Sequence, residues 1–270
     1  MKILLTILSF FCFQQLKAQE LFVYTEPASN MAAKSIGLRL NNYLQKEKFQ
    51  SKYNYMFIPE LMWGVSKKIM VHAEGVFSNR SNTLKAEGAA LYAKYRFYSQ
   101  DEVHNHFRMA AYIRGAVNNS PIQQPAIELN GYNSGYEAGL VATKLIHKLA
   151  LSANGSFIHV TDNNSGNKFL YGNKNRNAIG YAFAAGQLIL PQQYINYEQT
   201  NFNIMAELLG QTNLSSGKSY LDLAPSIQFI FLSKMRLDIG YRFPIVNDLE
   251  RMSTNGFLLK LEYNFFNAYK

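Results

Sequence analysis

Met235-Arg236-Leu237-Asp238-Ile239-Gly240-Tyr241-Arg242-Phe243 carries an apolar side chain at every second position, with Arg236, Asp238, Gly240 and Arg242 between. A helix would scatter arginine and leucine around its circumference; an extended strand sorts them onto two faces. The pattern repeats further along, where Phe257, Leu259, Leu261, Tyr263 and Phe265 alternate with Leu258, Lys260, Glu262 and Asn264. Upstream, Leu221, Leu223, Ile227, Phe229 and Phe231 oppose Tyr220, Asp222, Ser226 and Gln228. Pro225 lies inside that run and has no N–H for a ladder, which predicts a bulge or local gap.

Working back along the chain, the same alternation marks strands at 201–208, 149–157, 108–117 and 91–97. Weaker ones fall near 35–43, 54–66, 69–79, 134–146 and 179–190. That makes about twelve strands of ~9–13 residues each, long enough to cross a bilayer when tilted. Short connections at 66–68, 147–148 and 233–234, with medium ones at 99–106 and 191–199, alternate with polar segments, several of them long. These lie at 44–53, 80–84, 118–133, 161–178, 212–218 and 244–254. Tight turns at one end and longer loops at the other are the rhythm of a membrane barrel. A soluble sandwich, the rival, typically uses strands of ~5–6 residues. The expected fold is all-β: an antiparallel up-and-down transmembrane barrel of about twelve strands.

Composition agrees. Of 270 residues, 48% are hydrophobic and 17% charged, which excludes disorder, and aromatics reach 14%. One cysteine, Cys12, permits neither a disulfide framework nor a cysteine-rich zinc site. A mean hydropathy of −0.16 argues against a polytopic helical membrane protein. Met1-Lys2, the apolar run Ile3–Phe13 and the small residue Ala18 have the order of a secretory signal peptide. Residues 1–18 are therefore expected to be cleaved, 19–34 to form a periplasmic N-terminal strap or an insert into the lumen, and 35–270 the barrel. Losing Lys2 and Lys17 lowers the net charge from +9 to +7.

With a secretory signal, alternating strands and the last strand Gly256-Phe257…Tyr263-Asn264-Phe265-Phe266, the chain resembles uncharacterised outer-membrane β-barrel proteins of the Bacteroidota type. The Tyr-x-Phe ending resembles the C-terminal signal by which such barrels are recognised for insertion. The resemblance implies the outer membrane of a Gram-negative bacterium, with its lipids and the barrel-assembly machinery as partners. It implies no cofactor.

Period-two phasing points a defined set of charges inward. The basic ones are Arg39, Lys94, Arg96, Arg108, Arg114, Arg236, Arg242 and Lys260. The acidic ones are Glu60, Glu74, Glu137, Glu207, Asp222, Asp238 and Glu262. Such charges must pair or be solvated, so the expected lumen is near neutral. Two readings follow: a narrow passive channel for small solutes, or a structural or surface-interaction barrel with a blocked, charge-paired lumen. If the lumen is structural, the arginines should neutralise Glu137, Glu207, Asp222 and Asp238.

A barrel-embedded hydrolase has little support, because His159 shares the hydrophobic face with Thr161, and no Gly-x-Ser-x-Gly, His-Glu-x-x-His or P-loop occurs. The protein is not expected to be an enzyme. His104 and His106, beside Asp101 and Glu102, are weak metal candidates in an expected periplasmic turn, with too few strong ligands for a stable zinc site. No basic helix accompanies the loop lysines, so a nucleic-acid partner is not expected. The barrel reading makes a direct prediction. The protein fractionates with outer membranes and runs faster unheated than boiled on SDS gels; a soluble, heat-indifferent species would remove it.

Overall fold

The computed structural model describes residues 22–48, 53–103, 105–163, 167–193, 195 and 198–269. The expected signal peptide at 1–18 and His104 lie outside the described residues.

Twelve strands follow in order: β1 Ile36–Glu47, β2 Tyr53–Trp63, β3 Ile69–Ser78, β4 Lys85–Glu102, β5 Asn105–Asn118 and β6 Ser134–Ile146. Then come β7 Leu149–Thr161, β8 Asn177–Leu190, β9 Asn201–Asn213, β10 Ser219–Phe231, β11 Met235–Asn247 and β12 Ser253–Phe265. Each pairs antiparallel with its sequence neighbours, and β12 returns to β1 from Ile36↔Phe265 to Glu47↔Ser253, closing the barrel. Closure is what a chain in lipid requires, since an open edge would leave N–H and C=O groups unpaired.

The local expectations are met with one difference. Pro225 pairs with Ala206 of β9, but the register to β11 skips from Leu223↔Phe243 to Ser226↔Gly240, the expected gap. The medium connection expected at 99–106 is instead mostly strand. Asp101↔His106 and Glu102↔Asn105 continue the β4–β5 ladder below its neighbours. Polar residues there mask strand character, because both faces of this extension meet water.

Outward positions form an apolar wall, including Leu91, Ile113, Leu140, Phe183, Ile204 and Leu259, all exposed. Aromatic residues gather at both ends of it. Phe202, Phe229, Phe231, Tyr263 and Phe265 pack at the end bearing the tight turns. Tyr241, Phe243 and Phe257 pack at the other. Two girdles around an apolar band are the arrangement of a barrel seated in a bilayer.

The segment expected to be a periplasmic strap takes the other form. Residues 22–34 run inside the barrel, where Phe22, Val23 and Ala28 are fully buried. The wall makes room for them. The inward row of β8 is Ala178, Gly180, Ala182, Ala184 and Gly186, and Phe22 packs with Ala150, Ala184 and Met205. A Cβ at Gly64 would collide with the Ala32 carbonyl, and one at Gly240 with the Tyr24 ring, so both glycines admit the insert.

The facing assignment can be tested at Leu140, which is central in β6 and 57% exposed. Leu140→Arg is expected to cost ~2–4 kcal/mol of folding free energy in lipid. The neighbouring inward change Val141→Ala leaves a small cavity and costs less. Equal denaturant midpoints for the two variants would overturn the assignment.

Candidate functional site

Most of the charges phased inward from sequence are buried, among them Arg39, Glu60, Lys94, Glu207, Asp222 and Glu262, and three clusters gather the greater part of them. The first lies across the seam where the barrel closes. Arg39 of β1 stands opposite Glu262 of β12 and Glu60 of β2, and Glu60 stands opposite Glu74 of β3. The Arg39 guanidinium contacts Glu262 at 2.9 Å, Glu60 at 3.0 Å and, from the insert, Glu26 at 2.7 Å. Arg236 extends the row with contacts to Asp238 at 3.0 Å and Glu262 at 3.1 Å. His72, buried beside Glu60, shares the inward phase of Glu74; the two-residue period could have found it.

The second cluster anchors the insert. Glu207 of β9 accepts hydrogen bonds from the backbone N–H groups of Val23, Tyr24 and Thr25 at 2.8–2.9 Å and from Thr25 Oγ1 at 2.7 Å. Lys94 donates to the carbonyls of Pro27 and Ser29, and Lys260 to that of Val23. Thr143 accepts from the Ala28 N–H.

The third cluster lies toward the end bearing the long loops. The loop 119–133, here L3, folds inward, burying Ile122, Ala126, Ile127, Leu129 and Tyr132. Gln211 grips the Ile127 backbone at both its N–H and C=O. Arg242 bridges Asp222 and Glu128 of L3, while Arg251 binds both oxygens of Asp222. Arg80 spans Glu47, Ser120 and the Gly131 carbonyl. Arg80, Glu128, Arg251 and Glu26 escape sequence reasoning because they sit in irregular segments with no period to phase them.

Some partners differ from expectation. Asp222 and Asp238 do meet arginines. Glu207 instead meets backbone N–H groups, and Glu137 accepts from the Tyr112 hydroxyl at 3.1 Å. Arg114, although opposite Glu137 in register, reaches over β4 to Glu74 at 2.9 Å. Arg108 binds Asp101 at 2.8 Å and the Ser29 hydroxyl at 3.0 Å, and Arg96 donates to the Lys67 carbonyl.

The other candidate groups do not converge. His106 stands 2.9 Å from Asp101, which Arg108 also occupies. His159 faces outward, stacked on Tyr136 and bonded to Asn177. The hydrogen bond from Arg176 holds the Asp162 carboxyl below the usual carboxylate range.

The insert and L3 approach each other between Tyr24 and Glu128. The cavity there, also lined by Tyr43, Gln45 and Arg242, holds about 20 Å³. That is space for roughly one water. The anchor supports a prediction. Glu207→Gln is expected to cost ~1.5–3 kcal/mol, because its amide turns an N–H toward donors that need an acceptor. Glu137→Gln, which changes one hydrogen bond, costs less; urea unfolding of the refolded barrels would compare them.

No protein-family model matches the chain, and no curated protein matches it in sequence. Solved structures do match in fold. An outer membrane channel from Pseudomonas putida F1 superposes with a TM-score of 0.57 at 13% identity, over 90% of this chain and 100% of that one. The KdgM porin gives 0.51 at 7% identity, over 85% and 99%. The NanC porin gives 0.50 at 12% identity, over 84% and 98%. The closed twelve-strand barrel of this chain is therefore an outer-membrane porin-like fold.

Proposed function

We propose that this protein is an outer-membrane barrel of the porin type, offering small solutes a narrow passage that is shut in the described state. The observation that carries this reading is where the obstruction resides. The hydrogen-bonded wall closes by itself through β1 and β12, and the plugging belongs to two segments outside it, residues 22–34 and L3. Both are held by polar contacts to inward side chains and by apolar packing against the wall, and neither supplies a strand of the ladder, so one or both can leave without opening it. Behind them the wall presents Arg, Lys, Glu and Asp, a lining suited to ions and polar solutes.

The apolar belt and the fold shared with porins support an outer-membrane site in a Gram-negative bacterium. Lipids and the assembly machinery are then its partners. The positions of His159 and Asp162 support a non-enzymatic role.

A second reading, a structural barrel with a permanently blocked lumen, draws on the pairing of Arg39 with three carboxylates at once. Planar-bilayer recordings separate the two. The full mature protein is expected to pass little current. A variant lacking residues 19–30 and a variant with L3 shortened, alone or combined, are expected to conduct several-fold more. Folded variants, shown by heat-modifiable migration, that remain silent when both inserts are removed would replace the channel with the structural barrel.

A further inference from the structure

The charge row across the seam alternates in sign, Arg236, Glu262, Arg39, Glu60, until its last step. There Glu60 of β2 stands directly opposite another carboxylate, Glu74 of β3. Like charges facing each other across a strand pair are destabilising, and here both are buried. His72 lies on the same inward face, 1% exposed, with Nδ1 3.5 Å from Glu60 Oε2. Two polar atoms of this group, His72 Nε2 and Glu74 Oε1, are buried and carry no hydrogen bond among the described residues. A buried polar atom left without a partner is costly.

We propose that Glu60, His72 and Glu74 form a site for a borderline divalent cation of the zinc type on the inner wall. One ligand atom from each residue lies within 4.8 Å of the other two. Some point then lies within about 2.8 Å of all three atoms, so ligation at ~2.0–2.2 Å asks each group to close by at most about 0.8 Å. The surroundings are organised for it. His72 Nδ1 stands 3.5 Å from Glu60 Oε2, about the spacing of two ligands held ~2.1 Å from one tetrahedral ion, so Nδ1 supplies the lone pair and the ring proton stays on Nε2.

Arg114 holds Glu74 Oε2 at 2.9 Å, and Arg39 and Asn41 hold the oxygens of Glu60, leaving Glu74 Oε1 open. Because these guanidiniums already balance the two carboxylates, affinity must come from ligation rather than excess charge. Imidazole then favours zinc-like ions over calcium or magnesium, which take oxygen ligands. Three protein ligands with water in the fourth position make an open tetrahedral site. The site is independent of conduction, since a wall that never conducts would still bind.

The test uses the full mature protein with His104→Ala and His106→Ala, which silence the turn, refolded with and without zinc chloride. Retained metal is counted after dialysis, and zinc affinity is titrated calorimetrically. One equivalent is expected. His72→Gln and Glu74→Gln, each verified as folded by heat-modifiable migration, are expected to weaken binding at least tenfold. Zinc retained equally by His72→Gln would assign the metal to adventitious surface groups and overturn the site. Absence of retained zinc under both refolding conditions would overturn it too, leaving a buried water as the partner of the two open atoms.

Discussion

The Arg39 guanidinium holds together what the barrel's closure brings side by side. It lies on the closing strand, 2% exposed, and touches carboxylates from β12, β2 and the N-terminal insert. Removing a guanidinium from water is costly and is offset only when every direction around it is occupied by charge or hydrogen bonds. Three partners supply that here. Because each arrives on a different segment, the same contact that solvates Arg39 fixes strand against strand and the insert against the wall. Loss of any partner would leave charge uncompensated in a dry site, so the cluster favours one arrangement over near alternatives.

The wall and its filling obey opposite rules. Outside, lipid rewards apolar side chains and requires every backbone group to be paired within the sheet. Inside, twelve strands enclose more space than their own side chains occupy, and β8 widens it with alanine and glycine. Chain segments enter to fill the remainder, and each brings backbone N–H and C=O groups that need partners. Glu207, Lys94, Lys260 and Gln211 are spent on those backbone groups. Inward polar residues thus serve two purposes: pairing with one another across the wall and satisfying the segments threaded between them.

This division bears on how a passage could open. A segment bonded to six inward side chains is held firmly, yet apart from the Lys34–Gly64 backbone bond at its end these contacts lie outside the ladder that keeps the barrel closed. Part of the polar lining left behind when it moves stays paired within the wall, as Arg242 with Asp222 and Arg236 with Glu262, while Glu207, Lys94 and Lys260 exchange the insert for the water that replaces it. The wall can therefore survive the loss of its filling better than the filling can survive the loss of the wall.

The alternation at 235–243 and its counterparts determined, by themselves, that the chain forms strands, that there are about twelve, and which side chains face inward. The reason is local: an extended backbone turns successive residues to opposite faces, so four or five residues suffice to set the phase. Loop lengths added which end bears the tight turns. Only the tertiary structure decided which inward charge meets which. Arg114 passes over its register neighbour Glu137 to reach Glu74, and Glu207 meets no arginine but three backbone N–H groups. It alone decided that residues 22–34 and L3 lie within the lumen. These outcomes depend on closing the ring and on how much space remains inside it. Both are properties of all twelve strands together, and no short stretch of sequence carries them.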